Sequence, residues 1–319
     1  MFERLKSSAV IAAAERIAPH VKRTRLLRNE ALSRIAGGDV YLKLENEQIT
    51  GSFKLRGALN ALSTLSPAQR ERGVVASSAG NHGMGVAYAA KTLGISAKIY
   101  VPSTAPDVKK SGIRSLGAEL DESQPDYDAA MDAAKAFGRE TGREFINPCL
   151  GDDLLAGQGT VALEILDELP DLQSLVVNVG GGGLLGGCAS LIRRERPDVK
   201  IYGAQSEKTA AMSKSLQAKK IVEIPSEPTL ADGLAGQIDA DAFDIGKHAL
   251  DRIVTLSEAE IARTIAWFAR EVEARVEGAG ACAAGAILHK KLRPETPCAV
   301  VVSGGNIDQE RWTQIVSAT

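Results

Sequence analysis

Patterns typical of β-strands and α-helices alternate along most of this chain. Apolar runs such as Ser174–Val179 and Cys298–Val302 are rich in Val and Leu, and segments with helical periodicity such as Tyr127–Thr141 lie between such runs. Because the apolar runs do not alternate with polar residues, they predict parallel strands that are covered on both faces. The sequence therefore predicts an α/β fold with open, mostly parallel twisted sheets and helices on both faces. Further predicted elements are the runs GVVASS and SAKIYVP, the strands Lys200–Ala204 and Arg252–Leu256, and the helices Val86–Leu93, Asp107–Leu116, Leu184–Glu195 and Ser257–Glu273.

The charge balance and the cysteine pattern exclude several classes of protein. The 38 basic and 40 acidic residues give a net charge of -2 without a block of like charges, so neither nucleic acid nor an anionic membrane surface is indicated as a partner. The uncharged run Leu172–Ile192 is long enough to span a bilayer, but its cluster of glycines favours a strand, a loop and a helix instead. The first residues lack the apolar core of a secretory signal. Four cysteines without a CxxC pair, and His20, His248 and His289 without metal spacing, predict a cytoplasmic protein with no zinc site.

Four consecutive glycines, Gly180 to Gly183, follow an apolar run and precede a helical segment. Without Cβ atoms, their backbone N–H groups can approach an anion at the N-terminus of the helix, so the segment predicts a phosphate site. A close contact between helix and sheet, which also needs small residues, is the alternative. The spacing matches neither GxxxxGK[ST] nor a GxGxxG followed by an acidic residue, which disfavours a P-loop nucleotide and a dinucleotide.

Lys54 lies near the start of a predicted helix, two residues after Ser52, which we expect to be the N-cap. A cation at the positive end of a helix is electrostatically disfavoured, and this suits an amine that acts as a nucleophile or a base. Taken by itself, the segment is more typical of a solvated surface lysine.

Two further loops follow predicted strands. The segment Ser77–Gly83 offers hydroxyl groups, an amide and backbone N–H groups for binding a carboxylate, although helix capping explains the same residues. Ser303 follows the last apolar run and supplies one neutral hydroxyl group, with helix capping again as the alternative. Since ligands of open α/β sheets bind beyond the carboxyl ends of the strands, we expect the site at these loops.

Six segments together resemble one enzyme family over nearly the whole chain. In order, they are KLENEQITGSFKLRGALNAL, SSAGNHGMGVAYAA, AGQGT, VGGGGLLGG, ADG and VVSGGN. The set resembles the serine/threonine dehydratases, which include serine racemase, among the fold type II pyridoxal-phosphate enzymes. The resemblance implies a tryptophan synthase β-like fold with a large cofactor-binding domain at 1–72 and 150–319 and a small mobile substrate-binding domain at 73–149. It also implies pyridoxal 5′-phosphate as the cofactor, an amino acid as the substrate and a homodimer.

The resemblance also implies roles for individual residues. Lys54 matches the lysine that binds pyridoxal phosphate covalently and removes the Cα proton of the substrate, and Ser303 would face the pyridine nitrogen. Phe53 would flank the cofactor, and Asn81 would form a hydrogen bond with its 3′-oxygen. The phosphate would bind to Gly180, Gly181, Gly182, Gly183 and Leu184. The substrate carboxylate would bind to Ser78, Ala79, Gly80, Asn81 and His82. Cys149 and Glu277 are candidates for the lining of the pocket, with a small buried thiol and a helix-capping acid as the respective alternatives.

Two small residues narrow the reaction that the resemblance implies. A neutral Ser303 at the pyridine nitrogen makes the ring a weaker electron sink, which favours β-elimination. Racemases of the family carry a serine at the position of Ala79, so racemisation is disfavoured. The racemase-type metal positions correspond to Gln205 and Ala211, and we expect no metal. The resemblance thus implies that an L-β-hydroxy amino acid of the threonine or serine type loses water and is then hydrolysed to a 2-oxo acid and ammonia, with racemisation as an alternative.

Three departures from the family pattern bear on the substrate. Relatives that act on β-carboxylates place an arginine where this chain has Ala130, which disfavours hydroxyaspartate. Cys149 stands where relatives often carry asparagine or an aromatic residue, and the segment Leu234–Gln237 replaces a stretch that contains lysine. A bulkier substrate such as phenylserine is therefore an open alternative. From other classes, the alternatives are a non-catalytic protein that retains the fold and, more remotely, an NAD-dependent oxidoreductase.

Overall fold

Residues 5–105 and 107–319, which the computed structural model describes, form ten strands and fourteen α-helices. The strands are β1 Leu26–Arg28, β2 Val40–Leu44, β3 Val74–Ser77, β4 Ala97–Pro102, β5 Glu119–Gln124, β6 Glu144–Phe145, β7 Ser174–Asn178, β8 Lys200–Ser206, β9 Arg252–Leu256 and β10 Cys298–Val302. The helices are α1 Ser7–Ile17, α2 Glu30–Ala36, α3 Lys54–Ser63, α4 Pro67–Arg72, α5 Asn81–Leu93, α6 Asp107–Ser115, α7 Tyr127–Thr141, α8 Asp152–Glu168, α9 Gly183–Glu195, α10 Ala211–Ala218, α11 Ala240–Ala249, α12 Glu258–Trp267, α13 Gly278–Leu288 and α14 Gln309–Ala318. Short helical turns lie at Ala18–His20, Glu45–Glu47, Glu207–Thr209 and Asp232–Leu234, and a π-helical turn lies at Phe268–Val272.

Six strands form the larger sheet, in the order β1-β2-β10-β7-β8-β9. Neighbouring strands are parallel except for β1, which runs antiparallel to β2. Every residue of β7 and β10 is buried, because successive side chains of a strand point to opposite faces and each face packs into its own apolar core. Val177 and Val301 belong to one core, whereas Val176 and Val300 belong to the other.

A second sheet consists of four parallel strands in the order β5-β4-β3-β6. Helix α5 packs on one face of this sheet through Val86, and α7 packs on the other, where Ala130 lies with Val75 and Tyr100. The two sheets confirm the predicted α/β fold with mostly parallel open sheets and helices on both faces. All four strands lie within 73–149, and the movement of this segment as a separate small domain stays a prediction.

The predicted start of α3 is wrong in one respect. The helix begins at Lys54 with Phe53 as its N-cap, and the hydroxyl group of Ser52, the predicted cap, has no hydrogen-bond partner within the described residues. Ser52 instead pairs with Gly304 in an isolated antiparallel β-bridge, so its backbone is held at the edge of the larger sheet and the helix can begin only after it.

Helix α5 begins earlier than the sequence predicts, at Asn81 rather than at Val86. The glycines in its first turn have low helix propensity and hide the helical pattern. Gly83 is required there by packing, because a Cβ atom would lie 2.1 Å from the carbonyl oxygen of Ser78. Asn81 therefore belongs to the first turn of a helix and not to a loop.

Two long helices, α8 and α13, are not predicted from the sequence. Both are rich in glycine and alanine, and both pack closely against the backbone of the site. A Cβ atom on Gly157 of α8 would lie 2.5 Å from the carbonyl oxygen of Arg56, and one on Gly280 of α13 would lie 2.3 Å from that of Gly304. Within the part of the chain that the structure describes, no helix is both long and apolar enough to cross a membrane.

Candidate active site

The predicted loops meet at the carboxyl end of the larger sheet. Because β7 and β10 are neighbours, the glycine loop after β7 and Ser303 after β10 leave the sheet at the same edge. The backbone N–H of Phe53 donates to the carbonyl oxygen of Ser303 (3.2 Å), and Ser52 pairs with Gly304. These backbone contacts bring the start of α3, and with it Lys54, to the edge of the sheet.

Lys54 presents a half-buried amine at this edge. Its Nζ donates a hydrogen bond to the carbonyl oxygen of Pro148 (2.6 Å), and it lies 4.0 Å from Sγ of Cys149 and 5.4 Å from the centre of the Phe53 ring. One carbonyl oxygen orients the amine, and no acidic side chain within the described residues forms an ion pair with it. The arrangement suits an amine that acts as a nucleophile or a base.

The glycine loop leads into the N-terminus of α9. Gly182 has left-handed backbone geometry (φ +89°), no described side chain caps α9, and its first turn carries no acidic residue. A Cβ atom on Gly181 would lie 2.6 Å from Sγ of Cys149, and one on Gly183 would lie 3.0 Å from the carbonyl oxygen of the same residue. The loop therefore requires glycine at these positions, and its free N–H groups and the positive end of the helix suit a phosphate. Cys149 lies against both this loop and Lys54.

Helix α5 contributes a second N-terminus without a side-chain cap among the described residues. The N–H groups of its first turn have no acceptor within the helix, so they can bind a carboxylate. Just before the helix, Oγ of Ser78 accepts a hydrogen bond from the N–H of Gly80 (3.1 Å), which shapes the turn into α5. This end of the helix is placed close to the start of α3, since a Cβ atom on Gly85 would lie 3.3 Å from the backbone of Lys54.

The His82 side chain is buried and neutral. Burial and the nearby Lys54 lower its pKa to about 3, although a hydrogen bond with the carbonyl oxygen of Ile146 acts in the opposite direction. Because Nε2 lies 2.9 Å from that carbonyl oxygen, Nε2 carries the hydrogen and donates it, and Nδ1 is left as an acceptor without a partner in the described structure. An acceptor does not bind a carboxylate, so the backbone N–H of His82, and not its ring, suits the predicted role.

Asn81 belongs to a network of polar side chains with the half-buried Asn306 and the buried Glu277. Its Nδ2 donates to Oε1 of Glu277 (2.7 Å), and its Oδ1 accepts from Nδ2 of Asn306 (2.7 Å). Burial raises the pKa of Glu277 to about 7, and the charge of Asp232 acts in the same direction. The network fixes the orientation of the Asn81 amide and leaves its second N–H free for a further acceptor.

Ser303 is buried at the end of β10, and its Oγ accepts a hydrogen bond from Nδ2 of Asn178 (3.0 Å). The hydrogen of the Ser303 hydroxyl makes no hydrogen bond with the described residues. The hydroxyl group is therefore available as a donor.

Comparison with known proteins decides the family. The family model of pyridoxal-phosphate dependent enzymes matches residues 17–304. The chain belongs to the pyridoxal-phosphate dependent enzymes. It is 42% identical to an L-threonine ammonia-lyase from Thermotoga maritima over 298 residues, which are 93% of this chain and 74% of that protein.

Two solved structures are similar to this member of the family. Maize serine racemase is 29% identical to this chain in sequence, and the two structures superpose with a TM-score of 0.92. The match covers 98% of this chain and 97% of that one. The processed form of threonine deaminase isoform 2 from Solanum lycopersicum shares 30% with a TM-score of 0.89, covering 98% of this chain and 88% of that one. These matches confirm the fold type and the family that the sequence predicts, with pyridoxal phosphate as the cofactor.

The described residues fit this cofactor. The glycine loop, which has no room for a Cβ atom at Gly181, and the start of α9 together suit the phosphate group. The amine of Lys54 suits a covalent bond to the aldehyde carbon, and the free N–H of Asn81 suits the 3′-oxygen. The hydroxyl group of Ser303 suits the ring nitrogen. These individual roles stay predictions.

The structure shows where several other residues named in the sequence analysis lie. The side chain of Leu184 is buried in the apolar core, so only its backbone can take part in a phosphate site. Ala130 lies in α7 and packs against the smaller sheet beside Val75 and Tyr100. Gln237 bonds with the backbone of Ile224, whereas Leu234 is buried next to Gly180. Of the segment Leu234–Gln237, Leu234 therefore lies at the glycine loop.

Gln205 and Ala211, which correspond to the metal-ligand positions of racemases, are both buried in the structure. The amide of Gln205 donates to the carbonyl oxygens of Val179 and Thr209, and Ala211 is buried at the start of α10. Across residues 5–105 and 107–319, no three His, Cys, Asp or Glu side chains come together as metal ligands would. The absence of a metal in the working enzyme stays a prediction.

Sequence reasoning missed three groups of the site. The carbonyl oxygen of Pro148 binds Lys54, Asn306 orients Asn81, and Asn178 binds Ser303. A backbone oxygen leaves no sequence signal. Asn178, however, is a polar residue within the apolar run SLVVNV directly before the glycines, and that anomaly was the available signal.

Proposed function

We propose that this enzyme removes water from an L-β-hydroxy amino acid of the threonine or serine type and releases a 2-oxo acid and ammonia. The observation that carries the proposal is the position of Lys54, whose amine lies near the glycine loop through Cys149 and whose backbone lies against the uncapped first turns of α5. The groups that we propose as the nucleophile, the phosphate site and the carboxylate site are thus neighbours. The L-threonine ammonia-lyase that is 42% identical to this chain supports the same reaction.

The residues of the chain account for binding of the substrate carboxylate and for removal of the Cα proton. Bound pyridoxal phosphate supplies an electron sink for the Cα atom of the amino acid. The N–H groups at the start of α5 hold the carboxylate, and Nζ of Lys54 takes the proton from Cα. The bond between Cβ and the hydroxyl oxygen then breaks with its electron pair, and the hydroxyl group leaves as water after it gains a proton. The dehydrated amino acid hydrolyses to the 2-oxo acid and ammonia.

Ala79 supports elimination over racemisation. Racemisation needs a second group that exchanges a proton on the face of Cα opposite the first base, and a methyl side chain cannot exchange a proton. Ala79 is half-buried beside apolar side chains, at the turn that leads into α5. Elimination needs only the base on one face, which Lys54 supplies.

Threonine or serine is the proposed substrate, and phenylserine is the alternative. Cys149 favours the alternative, because its small side chain lies 4.0 Å from Nζ of Lys54 and leaves more room than an aromatic residue would. We further infer a cytoplasmic homodimer. The cytoplasm is supported by four cysteines that are all free, and the dimer only by the habit of the family.

Product analysis tests the proposed function. The purified enzyme with pyridoxal phosphate is incubated with L-threonine, L-serine and L-threo-phenylserine, and the 2-oxo acid, ammonia and recovered amino acid are measured. We expect equal amounts of 2-oxo acid and ammonia, highest with L-threonine or L-serine, and no D-isomer in the recovered substrate. Preference for phenylserine would support the alternative substrate, whereas D-isomer without ammonia would contradict the proposed elimination.

A further inference from the structure

Asn178 occupies an unusual place for an amide side chain. It is the last residue of β7, the strand that leads into the glycine loop, and it is 3% exposed. Its neighbours Leu175, Val176 and Val177 in β7 are apolar and belong to the two cores. The amide is therefore buried among side chains that offer few hydrogen-bond partners. A buried amide without partners is costly, and its partners therefore indicate what it does.

The partners of Asn178 fix the orientation of its amide. Oδ1 accepts a hydrogen bond from the backbone N–H of Ala283 in α13 (2.7 Å), and Nδ2 donates to the carbonyl oxygen of Val301 (3.0 Å). A third, longer contact joins Nδ2 to the carbonyl oxygen of Gly280 (3.4 Å). Because a backbone N–H can only donate and a carbonyl oxygen can only accept, the amide has one possible orientation. Its NH₂ group therefore faces Ser303.

This orientation determines what the Ser303 hydroxyl can do. Nδ2 of Asn178 lies 3.0 Å from Oγ of Ser303, so the serine oxygen is the acceptor in this contact. The hydroxyl hydrogen must then point elsewhere, and it has no acceptor within the described residues although Ser303 is only 4% exposed. A buried hydroxyl hydrogen needs an acceptor, and a pyridine nitrogen is an acceptor only when it carries no proton.

We propose that Asn178 is a positioning residue that makes the Ser303 hydroxyl a hydrogen-bond donor toward the ring nitrogen of pyridoxal phosphate and so keeps that nitrogen unprotonated. The inference rests on the proposed function, in which Ser303 faces the ring nitrogen. It adds that Ser303 does not act alone. Without the Asn178 amide, no described group donates to Oγ of Ser303, so the hydroxyl group is no longer held in the orientation of a donor.

The test is the nitrogen-15 NMR signal of the cofactor ring in the holoenzyme, loaded with pyridoxal phosphate that is labelled at the ring nitrogen. This signal reports protonation and hydrogen bonding at the nitrogen directly and does not depend on turnover. In the wild type, we expect the chemical shift of an unprotonated, hydrogen-bonded nitrogen throughout the neutral pH range. A protonated ring nitrogen in the wild type would overturn the inference, and this measurement requires no variant to fold.

Variants then separate positioning from mere structural support. The Asn178→Leu and Asn178→Ala variants should move the signal away from the wild-type shift, to the value of the Ser303→Ala variant. The combination of Asn178→Leu with Ser303→Ala should give no further change, because Asn178 acts only through Ser303. Asn29→Leu, which removes a different buried amide that caps α2, should leave the signal where it is.

Two results would contradict the role of Asn178. One is an unchanged ring signal in folded Asn178 variants. The other is that Asn178→Leu moves the ring signal by the same amount in the wild type and in the Ser303→Ala background. Failure of the proposed function would be recognised separately, since it would appear as cofactor that binds with the expected ring signal but without release of ammonia from any β-hydroxy amino acid.

Discussion

At the scale of single residues, burial controls the charge of the titratable side chains around Asn81 and Lys54. His82 is held neutral because burial and Lys54 lower its pKa to about 3. Glu277 titrates near neutral pH, because burial raises its pKa to about 7. The hydrogen bond from Asn81 acts in the opposite direction. The site thus carries fewer charges at neutral pH than its residue types suggest.

The raised pKa of Glu277 predicts how the stability of the protein depends on pH. Its pKa of about 7 in the folded protein lies above the ordinary value of 4.5, so the folded protein holds the proton more tightly than the unfolded chain does. The free energy of unfolding of the wild type should therefore decrease as the pH rises through this interval, by up to about 3 kcal/mol from this group. The Glu277→Gln variant lacks this proton, so its stability relative to the wild type should increase over the same interval.

The measurement is urea unfolding of the cofactor-free protein at several pH values. Glu310→Gln, at an exposed residue of α14, is the matched control and should show a difference from the wild type that is independent of pH. A constant difference for the Glu277→Gln variant as well would show that Glu277 does not titrate in this interval.

Residue identity allowed part of this site to be predicted. Lys54, Asn81 and Ser303 stand in motifs that carry their expected roles, and the structure brings all three segments together. The partners that orient them, Asn178 and Asn306, lie more than a hundred residues away from the side chains they bind. Such pairs depend on the folded chain and leave only a weak signal in a local sequence pattern.

At the scale of elements, the site is built from helix N-termini and one buried ion network. Arg56, in the first turn of α3, binds Glu45 after β2 and Glu164 of α8, and Lys43 binds the same Glu164. The charges of the two cations, Arg56 and Lys43, balance those of the two carboxylates. Removal of Arg56 would leave the buried carboxylate of Glu45 without an ion-pair partner among the described residues, so the network holds the helix that carries Lys54 against β2 and α8.

The glycine loop before α9 yields a prediction about cofactor affinity. A Cβ atom added at Gly181 would lie 2.6 Å from Sγ of Cys149, which forces the loop or the thiol to shift. The Gly181→Ala variant should therefore bind pyridoxal phosphate about tenfold to a hundredfold more weakly, since overpacking of this kind costs about 1–3 kcal/mol. Combination with Cys149→Ala should restore part of the affinity.

Absorbance titration of the cofactor-free variants with pyridoxal phosphate measures this affinity. The matched control is Gly112→Ala in α6, where the nearest atoms, those of Met84, lie 3.9 Å from the new Cβ atom. Wild-type affinity in Gly181→Ala would mean that the phosphate does not depend on this loop.

Helix prediction failed where tertiary packing overrides local propensity. The glycines of α8 and α13 are unfavourable for a helix in isolation, but they allow the close backbone contacts that the site requires. The predicted helix Ser257–Glu273 is shorter in the structure, because α12 ends at Trp267 and a π-helical turn follows. By contrast, α7 and β9 have the predicted bounds, since Asp126 caps α7 and strong apolar patterns mark both elements.

At the scale of the whole molecule, the segments that follow two mostly parallel sheets meet around Lys54. The larger sheet supplies the glycine loop and Ser303, and helix α5 on the smaller sheet supplies the N–H groups for a carboxylate. An ion pair between Lys109 of α6 and Asp232 (3.0 Å) also joins the two parts of the chain near the site. The alternation of strand and helix patterns predicted this architecture, because parallel strands buried on both faces are recognisable from composition alone. The relative position of the two sheets depends on contacts between distant segments, and no sequence pattern predicts it.

The measurement that tests the account most directly is the Lys54→Ala variant, compared with the wild type and with Lys247→Ala, which removes an exposed lysine of α11. Cofactor attachment is followed by absorbance and by borohydride reduction with peptide mapping, and turnover by release of ammonia from L-threonine. We predict that Lys54→Ala loses the covalent linkage and that its turnover falls by about a thousandfold or more, while Lys247→Ala retains both. Reduced cofactor attached to a lysine other than Lys54, or turnover that persists in Lys54→Ala, would contradict the assignment of this site.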